Sequence, residues 1–226
     1  MRNVLITGAN RGLGLAFTRH YLNQGEHVWA CYRQDAGQLT TLDEANLTLL
    51  KWDVSQDTPQ DTLGKLPDAI DLLINNAGIY GPTKSNGQSL DSIQAQDMLH
   101  VFEVNCVGPL RVVQTLKNRV IKAKGIIANI SSKMGSTADN SSGGCYAYRA
   151  SKAALVIVSR SMAVDLEPHG VRVITLHPGW VKTDMTGHTG EINAEESVAG
   201  MTQVLAQVDS YIPGDFVAWD QQRVPY

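Results

Sequence analysis

Short apolar runs alternate with longer amphipathic stretches along almost the whole chain, and this alternation decides the fold class before any motif is considered. Val4-Leu5-Ile6 reads as a buried strand, ended by turn signals at Gly8 and Asn10. Leu13 to Gln24 reads as a helix stopped by Gly25. His27 to Tyr32 and Leu47 to Trp52 predict two more strands, followed by a short helix near Gln56 to Leu66. Asp71 to Asn75, Gly125 to Ser131 and Val171 to His177 predict three further strands, and Phe216 to Trp219 a final short one. Ser92 to Lys122 predicts mostly one long helix, bent at Gly108-Pro109. Tyr146 to Glu167 predicts a helix stopped by Pro168 and Gly170, and Ala194 to Gln207 another. Strands alternating with helices imply right-handed crossovers and a parallel sheet covered on both faces. The strands are continuous apolar runs, as strands buried on both faces are. The expectation is a doubly wound α/β fold of about seven parallel strands. One domain over residues 1–226 is expected, because no linker or internal repeat divides the 226 residues.

Composition removes several function classes. The net charge is −3 and the Lys and Arg residues are scattered, so no basic surface for nucleic acid or anionic membrane is expected. No apolar run approaches the roughly 18 residues of a membrane span. Cys31, Cys106 and Cys145 are odd in number and lack metal or CxxC spacing, which predicts reduced thiols and no metal site. Met1-Arg2-Asn3 leads straight into an apolar strand with no signal-peptide pattern, so a cytoplasmic location is expected.

In an open parallel sheet, ligands bind beyond the carboxyl ends of the strands. Those ends carry Thr7-Gly8 onward, Arg33, Asp53, Asn75-Asn76-Ala77-Gly78, Ser131-Ser132 and Pro178-Gly179, all at one predicted rim. The first of these is a glycine loop, Gly8-Ala9-Asn10-Arg11-Gly12-Leu13-Gly14, placed between a strand and a helix. Bare backbone there lets a pyrophosphate approach, and the helix N-terminus offers free N–H groups and a positive dipole end. The second strand ends at Arg33, where an enzyme selective for NAD usually carries an acid; an arginine there suits a 2′-phosphate. Arg11 and Arg33 together could clamp that phosphate, while Asp35 falls two residues later and past the ribose. NADP(H) is therefore expected in preference to NAD(H).

Tyr148 and Lys152 are four apart in a predicted helix and so share one face. A free phenol titrates near 10, and a neighbouring ammonium favours its ionised form, which makes such a pair a tunable acid or base. The spacing alone is weak: Tyr80 and Lys84 repeat it, but Gly81 and Pro82 between them oppose a helix. Tyr146 has Ala150 four residues on, and so reads as a pocket or packing aromatic. Ser131 and Ser132 end a strand just upstream, where a hydroxyl could polarise a substrate carbonyl.

Taken together, Thr7-Gly8-x3-Gly12-x-Gly14, Asn75-Asn76-Ala77-Gly78, Asn129-Ile130-Ser131-Ser132, Tyr148-x3-Lys152 and Pro178-Gly179 resemble the short-chain dehydrogenases/reductases, in the family's order and over nearly the whole chain. Within that family, Tyr146 to Lys152 and His177 to Met185 look like the C-factor and sniffer-type carbonyl reductases. The resemblance implies a Rossmann fold and reduction of a ketone, aldehyde or quinone by hydride transfer, with Tyr148 as general acid. Ser132 would orient the carbonyl. Lys152 would hold the nicotinamide ribose and depress the Tyr148 pKa, and Asn105 would complete a tetrad through a helix kink and a water. Asp53-Val54 would hold the adenine, Asn76-Ala77-Gly78 the adjacent ribose, and Val181 and Thr183 the carboxamide. Ser132 lies 16 positions before Tyr148, wider than the family's usual spacing, which leaves Ser131, Ser132 and Ser136 open for the serine's role.

A short polar loop near residues 184–194 would cover the substrate, and His188 there reads as a solvated loop histidine. Ala153 to Val158 make the Tyr148 helix apolar nearly all round, so one side is expected to meet a subunit partner together with the Ser92 to Lys122 helix, in a homodimer or homotetramer. The alternative function is an NADP(H)-binding signalling or redox-sensing protein of C-factor type with little turnover. A sugar-nucleotide epimerase would need a larger substrate region after Thr183.

Overall fold

In the computed structural model, which describes residues 1–42, 44–82 and 87–226, the apolar runs become seven parallel strands in one sheet. They are β1 (Asn3–Ile6), β2 (His27–Tyr32), β3 (Leu47–Lys51), β4 (Leu72–Asn75), β5 (Ile126–Ile130), β6 (Arg172–His177) and β7 (Phe216–Ala218). The spatial order is β3-β2-β1-β4-β5-β6-β7. The chain winds outward one way from β1 and then the other way from β4, so the crevice between their carboxyl ends is where a ligand fits.

Side chains alternate across the sheet with the period of two that strands impose. Val4 and Ile6 enter one core and Leu5 the other, and all three are fully buried. The first core lies under α1 (Gly12–Asn23) and α6 (Ala194–Ala206); Phe17 and Met201 sit in it. The second lies under α4 (Gly108–Ala123) and α5 (Tyr146–Leu166), and contains Leu116 and Met162. Both faces are covered, which is why the strands show no polar alternation.

Two expectations need correction. The helix near Gln56 to Leu66 shrinks to α2 (Gln60–Leu63). The long helix over Ser92 to Lys122 starts later, as α3 (Ala95–Phe102), and is broken ahead of Gly108-Pro109 by a π-helical turn over Glu103–Val107. Pro109 lies in the first turn of α4, where its missing N–H leaves no gap in the ladder. The irregularity comes instead from Asn105, whose amide is tied to a neighbouring loop: Nδ2 donates to the Ile79 carbonyl and Oδ1 accepts from the Ile79 N–H, each at 2.8 Å. Gly108 is small because a Cβ there would come within 3.0 Å of Val54.

A buried polar ladder crosses the second core. Asn75 Nδ2 donates to Asn129 Oδ1 at 2.8 Å, Asn129 Nδ2 to Ser159 Oγ at 2.8 Å, and Ser159 Oγ to the Leu155 carbonyl at 2.6 Å. It links β4, β5 and α5. Tyr80 lies outside any helix, and Lys84, its sequence partner, lies outside the described residues. Among the described residues no helix is long and apolar enough to cross a membrane.

Candidate active site

A cavity of about 370 Å³ opens at the carboxyl ends of β1 and β4. The glycine loop forms one wall through Gly8, Asn10, Arg11, Gly12 and Leu13. Gly8 needs to be glycine: its φ is +63°, and a Cβ would lie 2.8 Å from Ala77 Cα. Arg11, at the N-cap of α1, gives no side-chain cap, and the helix's first bond runs from Leu15 N to Arg11 O. The N–H groups of Gly12, Leu13 and Gly14 therefore begin the helix without partners inside it, beside the cavity, the arrangement that suits an anion.

Arg33, Asp53, Val54, Asn76, Ala77 and Gly78 line the cavity as their strand-end positions predict. One Asp53 oxygen accepts from the Ser55 N–H and hydroxyl. The amide of Asn76 braces the loop, donating to the Thr7 and Gly8 carbonyls at 3.0 Å each. Asp35 lines the same cavity, with Oδ1 accepting from Gly37 N and its carbonyl accepting from Asn10 Nδ2. The Arg11 guanidinium pairs with Asp184 at 3.1 Å, and Asp184 also meets His188 at 3.1 Å. Among the described residues Arg33 has no ion-pair partner.

Pro178 and Thr183 line the cavity, whereas Gly14, Gly179 and Val181 do not. Gly14 lies beneath the loop, where a Cβ would be 2.1 Å from the Gly8 carbonyl oxygen. Gly179, at φ +85°, backs onto Trp219, and Val181 is buried and bridged to Ile192. Trp52, Ile79, Val104 and Ile130 also line the cavity without having been given a role from the sequence, while Asp184 and Met185 line it from the 184–194 loop expected to cover the substrate. The strand-end rule could have found Trp52 and Ile130; Val104 arrives only through tertiary packing.

Tyr148 and Lys152 both reach this cavity from the first turns of α5. Burial pushes the Tyr148 pKa up to about 12, and the Ser132 hydroxyl beside it pulls the other way. Lys152 Nζ lies 5.7 Å from the Tyr148 ring centre and donates to the Ile130 carbonyl at 2.8 Å. Burial lowers its pKa to about 8. Burial is the larger influence on the Tyr148 phenol in this geometry, with Ser132 opposing it. Of the three candidate serines, Ser131 lines the cavity but its Oγ donates to the Lys152 carbonyl, Ser136 Oγ donates to the Pro225 carbonyl, and Ser132, outside the cavity lining, accepts from Met134 N at 3.2 Å and lies beside Tyr148. Asn105 is fully buried one layer behind, and its Nδ2 also donates to Ser151 Oγ at 3.0 Å.

A family model described as short chain dehydrogenase matches residues 2–194. The chain belongs to that family. It is 40% identical to the C-signal protein of Myxococcus xanthus over 158 residues, 70% of this chain and 93% of that one. Among solved structures, an NADPH-bound carbonyl reductase from chicken fatty liver superposes with a TM-score of 0.90 at 32% identity, covering 100% of this chain and 99% of the other. The carbonyl reductase Sniffer of D. melanogaster gives 0.91 at 30% identity, with both chains fully covered. The resemblance seen in the sequence is therefore shown, and the protein is a short-chain oxidoreductase whose structural neighbours are carbonyl reductases.

Proposed function

We propose that the chain reduces a carbonyl group with NADPH, with Tyr148 as the proton donor. The observation that carries this reading is the buried Tyr148 phenol beside Ser132, with Lys152 one turn on, both Tyr148 and Lys152 lining the cavity the glycine loop opens into. The cradle fits a dinucleotide: bare backbone at Gly8 and Gly12, N–H groups at the start of α1 with no partner inside the helix, and an arginine at the end of β2 with no ion-pair partner among the described residues. When bound, the dihydronicotinamide supplies the hydride.

Each residue then has a task. Gly12 and Leu13 offer backbone donors to the pyrophosphate, and Gly14 and Asn76 hold the loop in shape. Asp53 and Val54 take the adenine end, and Ala77 and Gly78 the adjoining ribose. Arg33 takes the 2′-phosphate, and Arg11 joins it on leaving Asp184, which supports NADP(H) over NAD(H). Pro178, Gly179, Val181 and Thr183 shape the nicotinamide end, Gly179 and Val181 from behind the wall. Ser132 and Tyr148 both hydrogen-bond the substrate oxygen, and the phenol gives up its proton as negative charge develops there. Lys152, held on the Ile130 carbonyl, contacts the ribose and the phenolate that remains. Asn105 fixes the π turn behind Lys152. The single domain's loop over residues 184–194 covers the substrate.

A carbonyl panel followed by loss of NADPH absorbance, with NADH as control, tests the activity. Tyr148→Phe should bind NADPH normally and lose turnover on every active compound; retained turnover rejects the assignment. A second reading, a signalling or redox-sensing protein of low turnover, is favoured by the 40% identity to the C-signal protein. Tight NADPH binding with no reduction across the panel would select it.

Assembly follows from the surface. Leu99 and Phe102 on α3 and Ile157 and Val164 on α5 are exposed large apolar side chains, with Ile157 56% and Val164 58% exposed. A homodimer or homotetramer through α5 and the Ser92 to Lys122 segment, which carries α3 and α4, would cover such a face. Sedimentation as a monomer at micromolar concentration rejects it. Three unpaired cysteines support a cytoplasmic setting.

A further inference from the structure

Helix α5 begins without a cap of its own. Cys145, just before it, is left-handed at φ 52°, and its side chain makes no capping bond. Tyr148 is the third helical residue, so its N–H is among the donors a helix leaves orphaned, the one an N-cap side chain ordinarily takes. The partner comes from another part of the chain: Gln88 Oε1 accepts from Tyr148 N at 3.0 Å. The other end of that amide is used too, with Nε2 donating to the Tyr80 carbonyl at 2.8 Å.

Gln88 is buried, at 6% exposure. A buried amide satisfied at both ends is a rigid spacer between two backbone points. Those two points carry rings in contact, Tyr80 and Tyr148, whose centres are 4.9 Å apart at 40°. The same loop meets the start of α5 once more, through Tyr80 Oη and Cys145 Sγ at 2.8 Å. Gly81 leaves room for this crossing: its φ is +101°, and a Cβ would lie 2.8 Å from Val101 Cγ2 and 3.3 Å from Gln88 Nε2.

We infer that Gln88 is a positioning residue for carbonyl reduction: its amide docks the first turn of α5 against the Tyr80 loop and so sets where the Tyr148 phenol stands. Gln88 does not line the cavity and touches no reacting atom. The inference rests on the reading of Tyr148 as proton donor. Loss of the dock moves the phenol but leaves the glycine loop, Arg33 and Asp53 in place.

The experiment compares wild type, Gln88→Leu, Gln88→Glu and Tyr148→Phe, using kcat on the best carbonyl of the panel and the NADPH Kd by fluorescence titration. Leucine removes both bonds. Glutamate keeps an acceptor for Tyr148 N but sets its second oxygen against the Tyr80 carbonyl. Gln88→Leu should lower kcat by about 10- to 100-fold, the scale of a displacement under an ångström, with the NADPH Kd unchanged. Gln88→Glu should fall between Gln88→Leu and wild type. The inference is overturned if kcat is unchanged in Gln88→Leu, if Gln88→Glu loses as much as Gln88→Leu, or if kcat and NADPH affinity fall together. Should Gln88→Leu not fold, Gln88→Met fills the same channel without hydrogen bonds and is judged by the same criteria. Full turnover in Tyr148→Phe would strike down the reading beneath, whereas an inactive Tyr148→Phe beside an unaffected Gln88→Leu strikes down the role of Gln88 alone.

Discussion

Replacing Gly14 by alanine adds one methyl group that never reaches the cavity, yet it should weaken cofactor binding. The new Cβ would sit 2.1 Å from the Gly8 carbonyl oxygen, 2.6 Å from Asn76 Nδ2 and 2.8 Å from Gly8 C. Ordinary contact begins at 3.4 Å, so the glycine loop or α1 must retreat by 1.3 Å, the difference between 3.4 Å and 2.1 Å. The Gly8 oxygen is backbone and itself held by Asn76, so no flexible side chain can absorb the shift. Overpacking of this kind costs about 1–3 kcal/mol of stability, or roughly 2–12 °C in Tm for a chain of this size. If the retreat also takes one backbone donor off a phosphate oxygen, a charge-assisted bond of about 1.5–3 kcal/mol is lost, and the NADPH Kd rises by roughly 10- to 150-fold. Fluorescence titration with NADPH and a thermal melt measure both quantities. Gly25→Ala is the control: Gly25 is at φ +74° with nothing within 4 Å of its Cβ, so it should lose stability through strain alone and bind NADPH as wild type does. A Gly14→Ala variant with the wild-type Kd and Tm would refute the reasoning that loop shape is set from below.

The remaining predictions concern pH. Lys152 is buried and its pKa falls from the ordinary 10.5 to about 8, so unfolding takes up a proton between those values. Wild-type stability relative to Lys152→Met should therefore rise as pH climbs from about 8 to about 10.5, by at most roughly 3 kcal/mol, measured by urea unfolding across that range; a flat difference refutes it. His177 is held neutral, its pKa lowered to about 4 by burial first and by Lys133 second, with Asp220 opposing. Its Nδ1 accepts from Lys133 N at 3.3 Å. Neutral in the fold and charged when unfolded, it should cost stability as pH falls from about 6.5 to about 4, again by at most roughly 3 kcal/mol. His177→Asn, which keeps an acceptor for Lys133 N, should flatten that part of the acid melt; an unaltered pH slope would count against it.

Much of this molecule is legible in its residues because the relevant physics is local. Val4 to Ile6 and Leu72 to Ile74 are apolar on both faces, which only a doubly covered strand needs, and the glycines after β1 mark a loop that must lie close to something. The kink at Asn105 was implied by the family resemblance, but its form as a π turn left no such trace in the residues. It depends on the Asn105 amide finding the Ile79 backbone, a contact between residues 26 positions apart. Arg11 was read for its charge alone, and a sequence cannot show that Asp184, 173 positions away, competes for that charge. Gln88 escaped notice for the same reason: a lone glutamine in a loop carries no signal until the fold brings the start of α5 beside it. The choice among Ser131, Ser132 and Ser136 likewise needed direction, which spacing does not carry.

The ladder from Asn75 through Asn129 to Ser159 gives the tyrosine its height. An apolar helix lying on an apolar sheet could slide along its axis with little change in buried area. Directional bonds at Ser159 make the axial position of α5 a discrete choice, like a key in a slot. Tyr148 stands about 16 Å further up the same rigid rod, at 1.5 Å per residue. The reach of the phenol into the cavity is thus gauged from a hydroxyl and two amides that no substrate ever meets.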